Sequence, residues 1–320
     1  MNTYKWLLKR EFWEHKGGFF WAPAVVGAIM TLFLAASMLI GIGASQKHGF
    51  SINGERVTNI TNAVSAEDKA KIVDAISQGY MGTSAPLFMV MAFVVFFFCL
   101  GSLFDERKDR SVLFWKSLPV SDGETVVSKV AMALLGAPLL TLGFALVTSV
   151  LALLIILAGA SMTGLNLWGA VLATPAVYMA PFAVLSLVPV YALWALPTVG
   201  WLMMVSAWAR TKVFLWAVGV PVLAGALYSW FNAMFDFNWN VGWFWHHIIG
   251  RGLGSVVPGA WFGFVDPSGG LQIHDDRLHL SALVIQSWKT LGSVDAWIGV
   301  LVGVAMLYVA VRLRRWKDEG

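Results

Sequence analysis

The chain is poor in charge and almost without cysteine. Only 12% of its 320 residues are Asp, Glu, Lys or Arg, about half the share of a typical soluble globule, while 58% are hydrophobic and mean hydropathy is +0.71. A water-soluble globule is excluded, and the composition is that of an integral membrane protein. The single cysteine, Cys99, lies inside an apolar run, so it forms no internal disulfide, zinc knuckle or redox pair, and packing is its expected role. No GxxxxGK[ST] phosphate loop is present, nor any Gly-Lys pair, so the chain does not bind nucleotide in the usual way. There is no GxSxG elbow either. Within the long apolar runs Asp, Glu, Lys, Arg and His are essentially missing, with Asp295 only at an edge. That argues against ion-coupled carriers and against intramembrane metalloproteases or carboxylate enzymes, which need such groups at membrane depth. No catalytic or metal-ligating residue is assigned.

A bilayer core of about 30 Å needs about 20 apolar residues per helix. Six spans are expected, near 19–42, 86–104, 130–157, 185–209, 213–231 and 294–311. The first is long enough to remain as an anchor and shows no clear cleavage site. Basic residues cluster before the first span (Lys5, Lys9, Arg10, Lys16), between the second and third, between the fourth and fifth (Arg210, Lys212) and after the last (Arg312, Arg314, Arg315, Lys317). Six spans bring all four clusters to one side, which the positive-inside rule makes cytosolic, with both termini inside. The net charge of +4 and the pI of 9.2 therefore speak of orientation and anionic lipid rather than nucleic acid.

The apolar segment from Asn166 to Ser186 is read as an interfacial or partly inserted helix on the outer face, because a seventh span would invert the later basic clusters. Pro175, Pro181, Pro189 and Pro197 favour kinks there, either as moving parts or as static breaks. An outer loop at 44–85 carries SAED at Ser65–Asp68, a helix-starting signature before Ile72 and Ile76. A second outer region, 232–289, is rich in tryptophan and glycine and reads as short re-entrant or surface-lying helices. His246 with His247, and His274 with His279, lack zinc-type spacing and read as interfacial histidines.

The most informative stretch is 105–129, DERKDRSVLFWKSLPVSDGETVVSK. DERKDR keeps the chain in water, SVLFWKSLPV forms a short amphipathic piece, and SDGE at Ser121–Glu124 restarts a helix. Leu113, Phe114, Trp115 and Leu118 suit a hydrophobic groove on a cytosolic partner, with Arg107, Arg110 and Lys116 at its acidic rim. The plainer alternative is a basic aromatic loop lying on anionic lipid.

The N-terminal YKWLLKREFWEH, the first span, the polar outer loop and a second span ending in ERKDRSVLFWKSLPVSDGETVVSK resemble permease subunits of the type-2 ATP-binding-cassette exporter family. Glu106, Arg107, Ser117, Leu118, Pro119, Val120, Ser121, Glu124 and Lys129 carry the likeness, which is specific mainly in this loop. The resemblance implies an all-α permease domain over 1–320 in a bacterial inner (plasma) membrane, paired with a second copy or a related chain. A coupling helix near Ser111–Leu118 would rest on a cytosolic ATPase, present in two copies, that holds ATP and magnesium; this chain has no cofactor of its own. Residues implied in coupling are Glu106, Arg107, Arg110, Leu113, Phe114, Trp115, Lys116, Leu118, Pro119, Glu124 and Lys129. An interfacial connecting helix within 1–18 would contribute Trp6, Lys9, Arg10, Glu11, Phe12 and Trp13. The cargo would be amphipathic or lipid-like. A membrane scaffold that recruits a different cytosolic partner is the alternative, and an ion-coupled carrier a third.

Overall fold

The computed structural model describes residues 3–48, 50–52, 55–57, 64–109, 120–265 and 280–317. Helix α1 (Thr3–Glu14) leads through a π-helical turn, Gly17–Trp21, into α2 (Ala22–His48). A two-stranded antiparallel ribbon follows, β1 (Phe50–Ile52) with β2 (Glu55–Val57), pairing Phe50 with Val57. Then come α3 (Ala66–Gly79), a 3-10 turn (Tyr80–Ser84), α4 (Ala85–Gly101) and the short α5 (Phe104–Lys108). Helix α6 (Asp122–Ala131) continues through a π turn, Met132–Gly136, into α7 (Ala137–Met162). After α8 (Trp168–Leu172), α9 (Pro175–Ser186) and α10 (Val188–Trp208), a π turn at Leu215–Gly219 opens α11 (Val220–Phe235). The chain returns as α12 (Val241–Phe244), a π turn (Trp245–Gly250), α13 (Arg251–Gly254) and α14 (Trp261–Val265), and closes with α15 (Leu280–Thr290) and α16 (Val294–Lys317).

Among the described residues six helical stretches are long and apolar enough to cross a membrane: Gly17–Ala44, Ala66–Lys108, Asp122–Met162, Pro175–Trp208, Leu215–Phe235 and Val294–Trp316. They coincide with the six expected spans. In lipid every backbone polar group needs an internal partner, and helices supply it within each segment.

Helix α10 is the centre of the packing. Trp194 is 1% exposed, and Leu202 and Met203 are fully buried. The Trp194 indole N–H donates to Thr290 Oγ1 at 3.0 Å, so the buried ring leaves no polar atom stranded. Helix α16 crosses α10 with the two backbones nearly touching. A Cβ on Gly200 would lie 2.5 Å from the Gly303 carbonyl oxygen, and one on Gly303 would lie 2.7 Å from the Leu196 carbonyl. Close glycine approach is how helices associate in a solvent as apolar as their own side chains. Cys99 is fully buried in this core, as its place in an apolar run suggested.

A second apolar cluster lies at the end of the bundle away from α1. Tyr80, Met81, Leu157, Leu167, Val171 and Val177 bring the 3-10 turn after α3 together with α7, α8 and α9, and the Tyr80 hydroxyl donates to the Val177 carbonyl at 2.6 Å. The segment 166–186 is thus two helices docked on α3 and α7, with α9 running into α10 across Leu187. Of the four prolines from 175 to 197, Pro175 and Pro189 sit in first turns, where the missing N–H is not needed, and Pro181 and Pro197 lie inside helices. Helix α2 extends to His48, beyond the expected loop boundary at Ala44. Ser65 caps α3 by accepting from the Asp68 N–H at 3.0 Å, and Ile72 and Ile76 face the second cluster. Trp245 lies over Gly225 and its indole N–H donates to Ser229 Oγ at 2.9 Å, which binds the returning segment to α11.

Replacing Gly303 with Val is expected to destabilise the fold by about 2–3 kcal/mol through overpacking, whereas Gly143→Ala, whose Cβ meets open space, should be near neutral. Thermal unfolding in a neutral detergent measures both, and equal midpoints would contradict the α10–α16 crossing.

Candidate functional site

Four elements meet at one end of the bundle: α1, α5, α6 and the last turns of α16. Their termini leave backbone groups and charges that an apolar environment tolerates only when neutralised. Lys129 of α6 is 1% exposed and stands at the centre. Its Nζ donates to Glu11 Oε2 at 2.9 Å and Oε1 at 3.0 Å, and lies 3.1 Å from Glu106 Oε1. An ammonium has three protons, and these three contacts use them all.

Glu106 of α5 is the second hub. Its Oε1 also accepts from Arg10 Nη2 at 2.7 Å, and its Oε2 from Arg314 Nη1 at 2.7 Å. Arg314 Nε reaches Asp122 Oδ1 at 3.0 Å, and Arg10 Nε reaches Glu14 Oε1 at 2.8 Å. The buried cations Lys129 and Arg314 and the half-buried Arg10 are thus balanced by Glu11, Glu106 and Asp122, with Glu14 at the solvent edge. Partial burial opposes the Arg10 charge, but the hydrogen bond to Glu14 and the neighbouring Glu11 and Glu106 carboxylates outweigh it and raise its pKa. A buried pair stripped of one partner costs far more than the intact pair contributes, so these side chains act as one unit.

Around this cluster the chain ends are fixed by further bonds. Arg107 donates to the Ser206 and Ala209 carbonyls, capping the C-terminus of α10 with a positive charge where the helix dipole favours it. Ser206 Oγ in turn accepts from the Leu103 and Phe104 N–H groups at 3.1 and 3.0 Å. Glu124 completes a full capping box with Ser121 and starts α6. On α1, Glu11 is fully buried and Phe12 half-buried, while Trp6 and Trp13 are exposed, with Lys9 and Lys16 lying over their rings at 5.4 and 4.8 Å. Tryptophan and lysine side chains of this kind favour the membrane–water interface in general.

The structure therefore brings Arg10, Glu11, Glu106 and Lys129 together from separate candidate groups. Glu106 and Lys129 are buried, so neither side chain is open to direct contact with a partner. Arg110, Leu113, Phe114, Trp115, Lys116, Leu118 and Pro119, with the expected coupling helix at Ser111–Leu118, lie outside the described residues, as do His274 and His279. The described part of 105–129 is its two ends, and both belong to the cluster. Sequence reasoning missed Arg314 and Asp122. The signal for Arg314 was its spacing, since Gly303, Leu307, Ala310 and Arg314 form one stripe on the buried face of α16. Ligand atoms of Glu11, Glu14 and His15 lie within 4.8 Å of one another, the one such grouping among the described residues, but Lys129 and Arg10 already occupy the two carboxylates. His247 stacks on Trp243 at 5.2 Å and bonds the Trp243 carbonyl.

No known protein family matches the chain, and neither a curated protein nor a solved structure is significantly similar to it. Its function has to be read from this geometry.

Lys129→Met strands the Glu11 carboxylate and is expected to cost about 3–5 kcal/mol, while Lys129→Met with Glu11→Leu should recover most of that loss. The exposed Lys9→Ala should change stability by less than about 0.5 kcal/mol. Unfolding in detergent measures all of these, and strictly additive single-variant losses would contradict a shared buried pair.

Proposed function

We propose that the chain is the membrane-spanning permease subunit of an ATP-driven exporter, driven by a separate cytosolic ATPase through the loop between its second and third spans. One observation carries this reading. The two ends of that loop, at Glu106 and at Asp122 with Lys129, are cross-linked by buried ion pairs to α1 and to the end of α16. A load on the intervening residues is thereby transmitted to the first, second, third and sixth spans together. A loop that merely joined two helices would need no such joint.

Three further features support it. The basic clusters at this end of the bundle orient it toward the cytosol under the positive-inside rule, with both termini inside. The chain carries no phosphate loop, so energy has to come from a partner that binds ATP and magnesium. The loop sequence also resembles the type-2 exporter permeases, which work as pairs with two ATPase subunits. The reading places the protein in a bacterial inner membrane, with α1 as the connecting helix beside the ATPase and a second permease copy completing the path.

Tagged full-length chain captured from its native membrane is expected to bring down a cytosolic subunit with magnesium-dependent ATPase activity. The pair Trp115→Asp and Leu118→Asp should lower that recovery at least tenfold while leaving the unfolding midpoint unchanged, because it puts unpaired charge into an apolar contact. A co-purifying partner without ATPase activity, or recovery unaffected by the double change, would contradict the proposal.

A further inference from the structure

Arg251 is the one buried charged side chain among the described residues that the polar cluster does not use. It opens α13 and is 7% exposed, and its carbonyl accepts from Thr198 Oγ1, level with the middle of α10. The guanidinium lies 4.9 Å from the Trp194 ring centroid, and its Nη2 donates to the Asp295 carbonyl. Nε has no partner although it is buried, and among the described residues no carboxylate pairs directly with the group, the Asp295 carboxylate acting on it only at longer range. An arginine at this depth with an unused donor is costly, and in membrane proteins such residues mark a site.

The surroundings are shaped for it. A Cβ on Gly299 would lie 2.1 Å from Nη2, so only glycine at that point of α16 admits the guanidinium. Arg251 borders a cavity of about 510 Å³ between α10, α11 and α16. Its walls are apolar, with Pro197, Trp201, Ala224, Leu253 and Met306 among them, and no acidic residue lines it among the described residues. Trp201 has its indole N–H on the Ala217 carbonyl, which leaves Arg251 and His247 as the polar features. Val220, Ile298 and Val302 line the cavity and are also exposed on the flank of the bundle, so the mouth faces sideways where acyl chains lie. The volume falls within the range of small-molecule sites.

We propose that this cavity binds an amphiphile with an acidic headgroup, its anionic oxygen on Arg251 and its hydrocarbon chain against the apolar walls. A free inorganic anion would neutralise the arginine but leave the walls wet, and a neutral lipid would fill the walls but leave Nε unpaired; one long-chain anion does both. The site stands whether or not the chain couples to an ATPase.

Native mass spectrometry of the purified full-length chain in neutral detergent tests it, with oleate, oleoyl lysophosphatidate, methyl oleate and inorganic phosphate as probes. At least one of the two long-chain anions should bind one to one, at least tenfold tighter than methyl oleate and inorganic phosphate. Arg251→Gln, which keeps a donor for the Asp295 carbonyl, should weaken it at least tenfold, and Ala224→Trp, which adds bulk to the cavity wall on α11, should do the same. Should Arg251→Gln fail to fold, Ala224→Trp and the neutral ester decide the matter. Binding of neither anion, equal binding of methyl oleate, a response to phosphate alone, or affinity unchanged by Ala224→Trp would overturn the proposal.

Discussion

An ammonium group cut off from water is tolerable only while carboxylates take its protons, and Lys129 meets that condition by reaching across to two other helices. Glu11 on α1 supplies two contacts and Glu106 on α5 the third. Because Glu106 is shared with Arg10 and Arg314, neither the entry to the first span nor the exit from the sixth can move away without exposing a stranded charge. The geometry of this whole end of the bundle follows from that requirement.

The rest of the fold is arranged so that the cluster stays dry and rigid. The α10–α16 crossing at Gly200 and Gly303 brings the end of α16 down beside α6, where Arg314 meets Asp122 and Glu106. Arg107 and Ser206 tie the end of the second span to the end of the fourth. At the opposite end the packing is apolar, built on Tyr80, Leu157 and Val177. The Arg251 cavity occupies the gap between α11 and the α10–α16 pair. A tight polar joint thus lies at one end of the bundle and an open apolar flank toward the other.

Much of this was legible in the sequence because two signals are strong in membrane proteins. Runs of about 20 apolar residues mark spans, and Ser-x-x-Glu or Ser-x-x-Asp marks helix starts, so the six spans and the caps at Ser65 and Ser121 follow directly. Tertiary pairing was not legible. Arg314 looked like one more basic residue of a cytosolic tail, and its burial depends on which face of α16 meets α6. Glu106 and Lys129 stand out in the loop through the resemblance, as coupling residues, and the structure buries both; a pattern records that residues matter together and not what they touch. Arg251 stood out least, because a lone arginine in a Trp- and Gly-rich stretch looks interfacial until the chain is seen to turn back against α10. The extension of α2 to His48 reflects a smaller limit, in that polar residues end a span without ending its helix.

The account's central claim is that the buried pairs make one joint of four helix ends. Hydrogen exchange of the full chain in neutral lipid nanodiscs, wild type against Lys129→Met, tests it most directly. The claim predicts that the substitution speeds amide exchange together in α1, α5 and the last turns of α16, with α3 and α9 unchanged. Faster exchange confined to α6 would contradict it.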